Sequence, residues 1–253
     1  MNTKSYTYHS EKREISFFNK RFDIYKKQIF QRYQRLHKAI HLYSKEGELK
    51  DIKALDVGCN FGFWSVILNQ LGADVHGVDI SEDMIEIAID FVKQADCDQD
   101  RIKVEHMNFL DKKLPSECYD LVYFMEVIEH VNNPVDFLAE IMRVLKPGGS
   151  LIISTPNAVN TFSILKQLWP NLKGLFKEIE KEPIDTGTHL DHIYDWNPFA
   201  FYRLLFRNGF EYVNHDFITL EIPFLYHIPL NIPLLSRFSR GMIFNVKKPL
   251  DTN

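Results

Sequence analysis

Residues 54–62 read Ala-Leu-Asp-Val-Gly-Cys-Asn-Phe-Gly, and residues 73–79 read Ala-Asp-Val-His-Gly-Val-Asp. The first is a short β-run that empties into a glycine-bearing loop. The second closes on an acid, Asp79, 21 positions after Gly58. A strand, a glycine loop, a helix and a second strand ending in an acid make one half of a nucleotide-binding sheet. The loop is D-x-G-x-x-x-G rather than G-x-G-x-x-G, and the difference selects the ligand. A dinucleotide needs its glycines so that backbone can approach a pyrophosphate at a helix N-terminus. A nucleoside carrying an amino acid needs a close backbone turn, an acid near the amino group and a second acid for the ribose hydroxyls. Asp56 and Asp79 are placed for those two tasks, and the spacing disfavours a nicotinamide-dependent oxidoreductase.

From Ile52 onward the pattern alternates strand and helix, which implies a parallel sheet with helices on both faces. Strands are expected near 53–57, 74–79, 102–107, 119–125 and 149–155, with helices near 61–71, 82–95 and 134–145. Ser81 and Asp83 ahead of Met84-Ile-Glu-Ile-Ala give an N-terminal cap signal. Pro147-Gly-Gly reads as a breaker before the fifth strand. A helix at 197–208 stops at Gly209, and Phe210–Leu220 and Gly241–Lys247 supply the last two strands.

Two segments fall outside this alternation. Ile15, Phe18, Phe22, Tyr25, Ile29, Leu36 and Tyr43 recur at helical spacing, so residues 1–50 form a helical arm ahead of a main domain over 51–253. Residues 158–188 carry Phe162, Leu165, Leu168, Leu172, Leu175 and Ile179, split by Trp169-Pro170, and read as a helical insertion where loops shape a substrate pocket. The chain of 253 residues has a formal charge of -4, yet residues 11–41 hold nine Lys/Arg against three Asp/Glu. A basic arm therefore sits on an acidic body. The arm is expected to fold over the cleft as a lid, with peripheral contact to anionic lipid as the competing role. The acidic body and the lack of a separate RNA-binding domain disfavour nucleic acid as partner. Cys59, Cys97 and Cys118 have no paired spacing, the N-terminus lacks the apolar core of a signal peptide, and no apolar stretch reaches the roughly 20 residues of a membrane span. Cytoplasmic residence is the expectation.

The stretch from Lys53 to Asn157 resembles the class I S-adenosylmethionine (SAM) dependent methyltransferases. The resemblance rests on the loop above, on Tyr119-Asp-Leu-Val-Tyr-Phe-Met-Glu-Val-Ile-Glu-His-Val131, and on Arg143-Val-Leu-Lys-Pro-Gly-Gly-Ser-Leu-Ile-Ile-Ser-Thr-Pro-Asn157. It implies a Rossmann-like, doubly wound α/β sheet of seven strands, mostly parallel with the last strand antiparallel. It also implies that Asp56, Gly58, Cys59, Asn60 and Gly62 line the methionine portion of SAM, that Asp79 binds the ribose, and that Ile80 packs on adenine. Asn108 with Phe109 would meet the adenine amino group, and Met125 completes the cofactor set. The family commonly has glycine where this chain has Asn60, and asparagine is among the few other residues that enter positive φ cheaply.

Glu126-Val-Ile-Glu129-His130 follows the fourth strand. As a helical turn it would bring Glu126, Glu129 and His130 to one face. With the insertion and with Gly187-Thr188-His189, this set resembles the ubiquinone-biosynthesis O-methyltransferases (methyltransferase type 11/23 group). Through Asp191-His192-x-Tyr-Asp-Trp196 it is also similar to small-RNA 2′-O-methyltransferases that hold a divalent metal. The resemblance implies a candidate metal set of Glu126, Glu129, His130 and His189, with His130 or His189 as general base. His76 and His106, inside strand patterns, read as structural. The sequence therefore points to methylation of a hydroxyl on a small-molecule acceptor such as a quinone precursor, a glycan unit or another secondary metabolite. The alternatives are an RNA 2′-O-methyltransferase and a catalytically silent SAM-binding partner subunit.

Overall fold

The structure is a computed structural model that describes residues 39–40, 42–44, 49–160, 192–218 and 238–250. Most of the helical arm, nearly all of the 158–188 insertion, and His189 lie outside the described residues. Seven strands, β1 (Lys53–Val57), β2 (Asp74–Asp79), β3 (Ile102–His106), β4 (Tyr119–Met125), β5 (Leu145–Pro156), β6 (Glu211–Ile218) and β7 (Gly241–Lys247), form one sheet in the order β3-β2-β1-β4-β5-β7-β6. The pairs from β3 to β5 are parallel, and β7 runs antiparallel between β5 and β6. This is the expected doubly wound architecture with its last strand reversed. The order reverses between β1 and β4, so a crevice opens above their carboxyl ends, the place where open α/β sheets bind ligands.

The strands are apolar on both faces because both faces are covered. Leu55, Val57, Val122, Phe124, Leu151 and Ile153 pack on one side with Leu138 and Ile141 of α3 (Pro134–Val144) and with Phe201 and Leu205 of α4 (Pro198–Arg207). On the other side Ala54, Val75, Leu121, Tyr123 and Ile152 meet Leu68 of α1 (Phe63–Gln70) together with Ala39 and Ile40. Residues 39–40 and 42–43 are helical, and the amides of Asn214 and Asn245 both donate to the Leu42 carbonyl. Those bonds satisfy an end-of-helix acceptor and fix the root of the arm to the β6–β7 edge.

Two local expectations change. Helix α1 starts at Phe63 rather than near 61, because Gly62 at its N-cap is left-handed at φ 79 and Asn60 stands at φ 51. Pro147-Gly-Gly does not precede β5 but lies within it. Tyr119 pairs with Leu145 and Leu121 with Ser150, so the extra residues bulge out of the ladder, and Lys248 closes the gap through bonds with Gly148 and Gly149. By contrast α2 (Glu82–Gln94) begins as read, with Ser81 Oγ accepting from the Met84 N–H at 3.4 Å. His76 is structural: its Nδ1 lies 2.8 Å from the Tyr119 hydroxyl, and burial pushes it down to about 4, so the ring is neutral.

Helix α1 crosses β2 at Gly77. A Cβ there would stand 2.7 Å from Ser65 Oγ, 3.0 Å from Val104 Cγ1 and 3.2 Å from Cys59 Cβ. Gly77→Ala must therefore lift the helix or the loop, at a cost of about 1–3 kcal/mol. Urea denaturation should show that loss, and unchanged stability would mean α1 does not bear on the strand.

Candidate active site

The loop after β1 is held from below and from the side. The N–H groups of Gly58 and Cys59 both donate to the Val78 carbonyl, at 2.8 and 3.1 Å. Gly58 has φ +74, and a Cβ on it would lie 2.6 Å from Val127 Cγ2 in the turn after β4. The two halves of the crevice thus touch there, and only glycine fits. Asn60 accepts the Phe61 N–H on its own side-chain oxygen at 2.8 Å, which stabilises its left-handed conformation.

Asp79 organises the opposite wall. One carboxylate oxygen accepts the Asn60 N–H at 2.8 Å and the other accepts the Ser81 N–H at 2.9 Å. Each oxygen keeps a further lone pair for a ligand hydroxyl. The next residue, Ile80, is a large apolar side chain left 69% exposed, which suits stacking against a flat base. His106 holds the Ile80 carbonyl through Nε2 at 3.0 Å, a structural role.

Not every candidate sits as the sequence suggests. Asn108 is exposed, but its side-chain oxygen accepts the Leu110 N–H at 3.2 Å and caps the short 3-10 turn Phe109–Asp111. Phe109 is buried with its ring 6.0 Å from Phe137, so its side chain belongs to the core. Cys59 is buried, and burial pushes its thiol up; Met125 is buried on the α1 side of the sheet. Asp56, read as the partner of an amino group, is only 2% exposed and takes a 2.6 Å hydrogen bond from Ser65 Oγ. Burial first, and Asp79 next to it, push its carboxyl up to about 7, against the lowering effect of Ser65.

The segment after β4 is a turn rather than the start of a helix. Glu126 is left-handed at φ 55, its N–H bonds the Ser154 carbonyl, and its carboxylate accepts from Ser154 Oγ at 2.6 Å. The turn itself runs from Val127 to His130. Glu126 therefore does not share a face with Glu129 and His130. His192 joins them instead, and ligand atoms of Glu129, His130 and His192 all lie within 4.8 Å of one another. His130 Nε2 is 4.0 Å from Glu129 Oε1, and the two imidazoles meet edge-on at 4.9 Å. Backbone explains the juxtaposition: the N–H groups of Ile193 and Tyr194 both donate to the Glu129 carbonyl, and the Tyr194 hydroxyl donates to the Asn132 carbonyl. Sequence spacing flagged the Asp191-His192-x-Tyr-Asp-Trp196 stretch but not which histidine would reach the turn.

Residues 55–153 match the family model described as a methyltransferase domain. Over that stretch, under half of its length, the chain is similar to methyltransferases. Over 106 residues it is 41% identical to the mitochondrial ubiquinone biosynthesis O-methyltransferase of Schizosaccharomyces pombe, covering 41% of this chain and 37% of that protein. Over 119 residues it is 40% identical to the mitochondrial enzyme of the same description from Rattus norvegicus, covering 46% of this chain and 34% of that protein. The aligned region is thus well under half of each relative. The solved magnesium protoporphyrin IX methyltransferase of Synechocystis PCC 6803, with bound SAH (the demethylated form of SAM), superposes with a TM-score of 0.62 at 19% identity, covering 92% of this chain and 97% of that one. That likeness is one of fold. The residues after β1 and β2 fit a nucleoside-bearing cofactor: the backbone is left-handed at Gly58, Asn60 and Gly62, Asp79 is oriented by two N–H groups, and Ile80 is uncovered. Among the described residues no helix is long and apolar enough to cross a membrane.

Asp56 gives a stability prediction. Its carboxyl is raised in the folded chain, so between about pH 4 and 7 the folded form holds a proton that the unfolded form has lost, and stability falls as pH rises through that window. Asp56→Asn removes the penalty while keeping the Ser65 contact. Its melting temperature at pH 8 should exceed the wild type's, and the gap should close at pH 4. A variant less stable at both would show that the charged carboxylate stabilises the fold.

Proposed function

We propose that the chain transfers the methyl group of SAM to a hydroxyl of a small molecule. The carrying observation is the meeting of two segments: the left-handed loop of Gly58 to Gly62, tied to Asp79, packs at Gly58 against Val127 in the turn that carries His130. SAM supplies a methyl carbon already activated by its sulfonium charge, so the protein has to align the two reactants and take up a proton. Gly58 to Gly62 would cradle the amino-acid portion, Asp79 the ribose and Ile80 the base. His130, in the turn that starts at Val127 and beside His192, would accept the acceptor's hydroxyl proton. The kinship with ubiquinone-biosynthesis O-methyltransferases supports a hydroxylated aromatic acceptor.

The binding test is calorimetry with SAM, SAH and NAD. SAM and SAH should bind in the micromolar range while NAD does not. Asp79→Asn should weaken SAM by roughly tenfold, a loss of about 1.5 kcal/mol from one charged hydrogen bond. NAD binding without SAM would reject the reading.

A metal-assisted version has its own support in the Glu129–His130–His192 cluster, one carboxylate and two imidazoles of the borderline donor type that divalent transition ions take. Such an ion would lower the pKa of a hydroxyl on a vicinal diol or catechol. Electron paramagnetic resonance should show one Mn²⁺ per chain, lost in Glu129→Gln and His192→Ala but kept in Glu126→Gln. Equal Mn²⁺ uptake by all variants would return the histidines to a metal-free role in proton transfer.

A further inference from the structure

Cys118, the residue before β4, has an amine held against its sulfur. Lys53, the first residue of β1, places its Nζ 3.1 Å from Cys118 Sγ, and both residues are half-buried. Backbone bonds anchor both sides of that contact. The Cys118 N–H donates to the Val144 carbonyl at 2.9 Å, the Lys53 N–H donates to Asp120 Oδ2 at 3.0 Å, and the Lys53 ammonium stands 5.5 Å from the centre of the Tyr119 ring. The other two cysteines have different surroundings. Cys59 is buried in the loop after β1, and burial, reinforced by Asp56 and Asp79, pushes its thiol up. Cys97 is half-buried with its sulfur near the Val92 carbonyl and the Gln99 amide, and burial, reinforced by Asp96 and Asp98, pushes its thiol up as well. Among the described residues, Cys118 is the cysteine with a cation against its sulfur, the setting in which a sulfur gains negative charge and attacks a peroxide.

We propose that Lys53 and Cys118 form a peroxide-responsive modification site, in which oxidation of the thiol is followed by closure of the lysine amine onto the sulfur. In the first step the Cys118 sulfur takes an oxygen from hydrogen peroxide, the O–O bond breaks, and a sulfenic acid and a water are formed. Lys53 Nζ then gives a proton to solvent and attacks that sulfur. The S–N bond forms as the S–O bond breaks, and the hydroxyl leaves as water with a second proton from the nitrogen. The thiol is oxidised to a sulfenamide and the peroxide is reduced to water. Because the nitrogen already stands at contact distance, closure outruns attack by a further peroxide, which would carry the sulfur on to the irreversible sulfinic acid. An excess of a small thiol reduces the S–N bond and returns both side chains. The bond joins the amino ends of β1 and β4, away from the crevice at their carboxyl ends, and links residues 65 positions apart.

The test is peptide mapping by mass spectrometry on the full chain after brief exposure to hydrogen peroxide. The expected product is a cross-linked peptide pair joining Lys53 to Cys118, lighter than its parts by two hydrogens and lost on addition of dithiothreitol. This measurement on the wild type needs no variant. The oxidised chain should also melt several degrees above the reduced one, since the link constrains the unfolded state. In Lys53→Gln no amine intercepts the sulfenic acid, so the same exposure should carry Cys118 to the sulfinic acid, heavier by two oxygens. Wild-type Cys118 recovered as sulfinic acid with Lys53 unmodified would overturn the inference, and so would oxidation of Cys97 ahead of Cys118.

Discussion

The hydrogen bond from Ser65 to Asp56 joins three elements at one point, and the upper half of the molecule is arranged around it. Asp56 ends β1, Ser65 lies in α1, and the side chain of Ser65 lies so close over Gly77 of β2 that no Cβ fits beneath it. A buried carboxylate whose donors, the hydroxyl and N–H of Ser65, are both neutral is expensive. The close approach of helix and strand is what keeps water from relieving it. The same approach brings the loop of Gly58 to Gly62 down onto the strand ends, so the cofactor cradle and the strained acid are products of one packing decision.

Asp79 carries that arrangement across to the neighbouring strand. Because both of its oxygens hold backbone N–H groups, the loop after β1 and the start of α2 are fixed to one carboxylate. The histidine pair is brought together by different means. There the turn after β4 departs through a left-handed Glu126, and the segment 192–196 is stitched to it by the Glu129 carbonyl and to the end of β5 by the bridge between Asn157 and Trp196. The loop after β1 is a matter of local geometry, and the histidine pair of long-range backbone pairing.

That contrast explains what the sequence could show. Strands and helices from Lys53 to Val144 stand within about two residues of where periodicity and caps put them, because each is specified by its own residues. The exceptions have physical causes. Left-handed Asn60 and Gly62 delay α1, and Pro147-Gly-Gly bulges within β5, where Lys248, just past β7, bonds Gly148 and Gly149. Asp79 at the end of β2 could be read from spacing, and Ile80 beside it from the family resemblance. The burial of Asp56, the capping use of Asn108 and the core position of Phe109 could not, because each depends on what packs above it. His192 was visible as part of a motif, but its meeting with His130 requires a bond between segments some 60 residues apart.

The family match covers residues 55–153, the stretch that carries the glycine loop and Asp79, and the decisive proposal lies there: the crevice above β1 and β4 would hold a nucleoside-bearing amino acid. A crystal structure grown with SAH tests it most directly. The account predicts the ribose on the Asp79 carboxylate, the base against Ile80, and the amino-acid portion beneath Gly58 to Gly62. A nucleoside seated elsewhere on the sheet, or in this crevice without contact to Asp79, would contradict it.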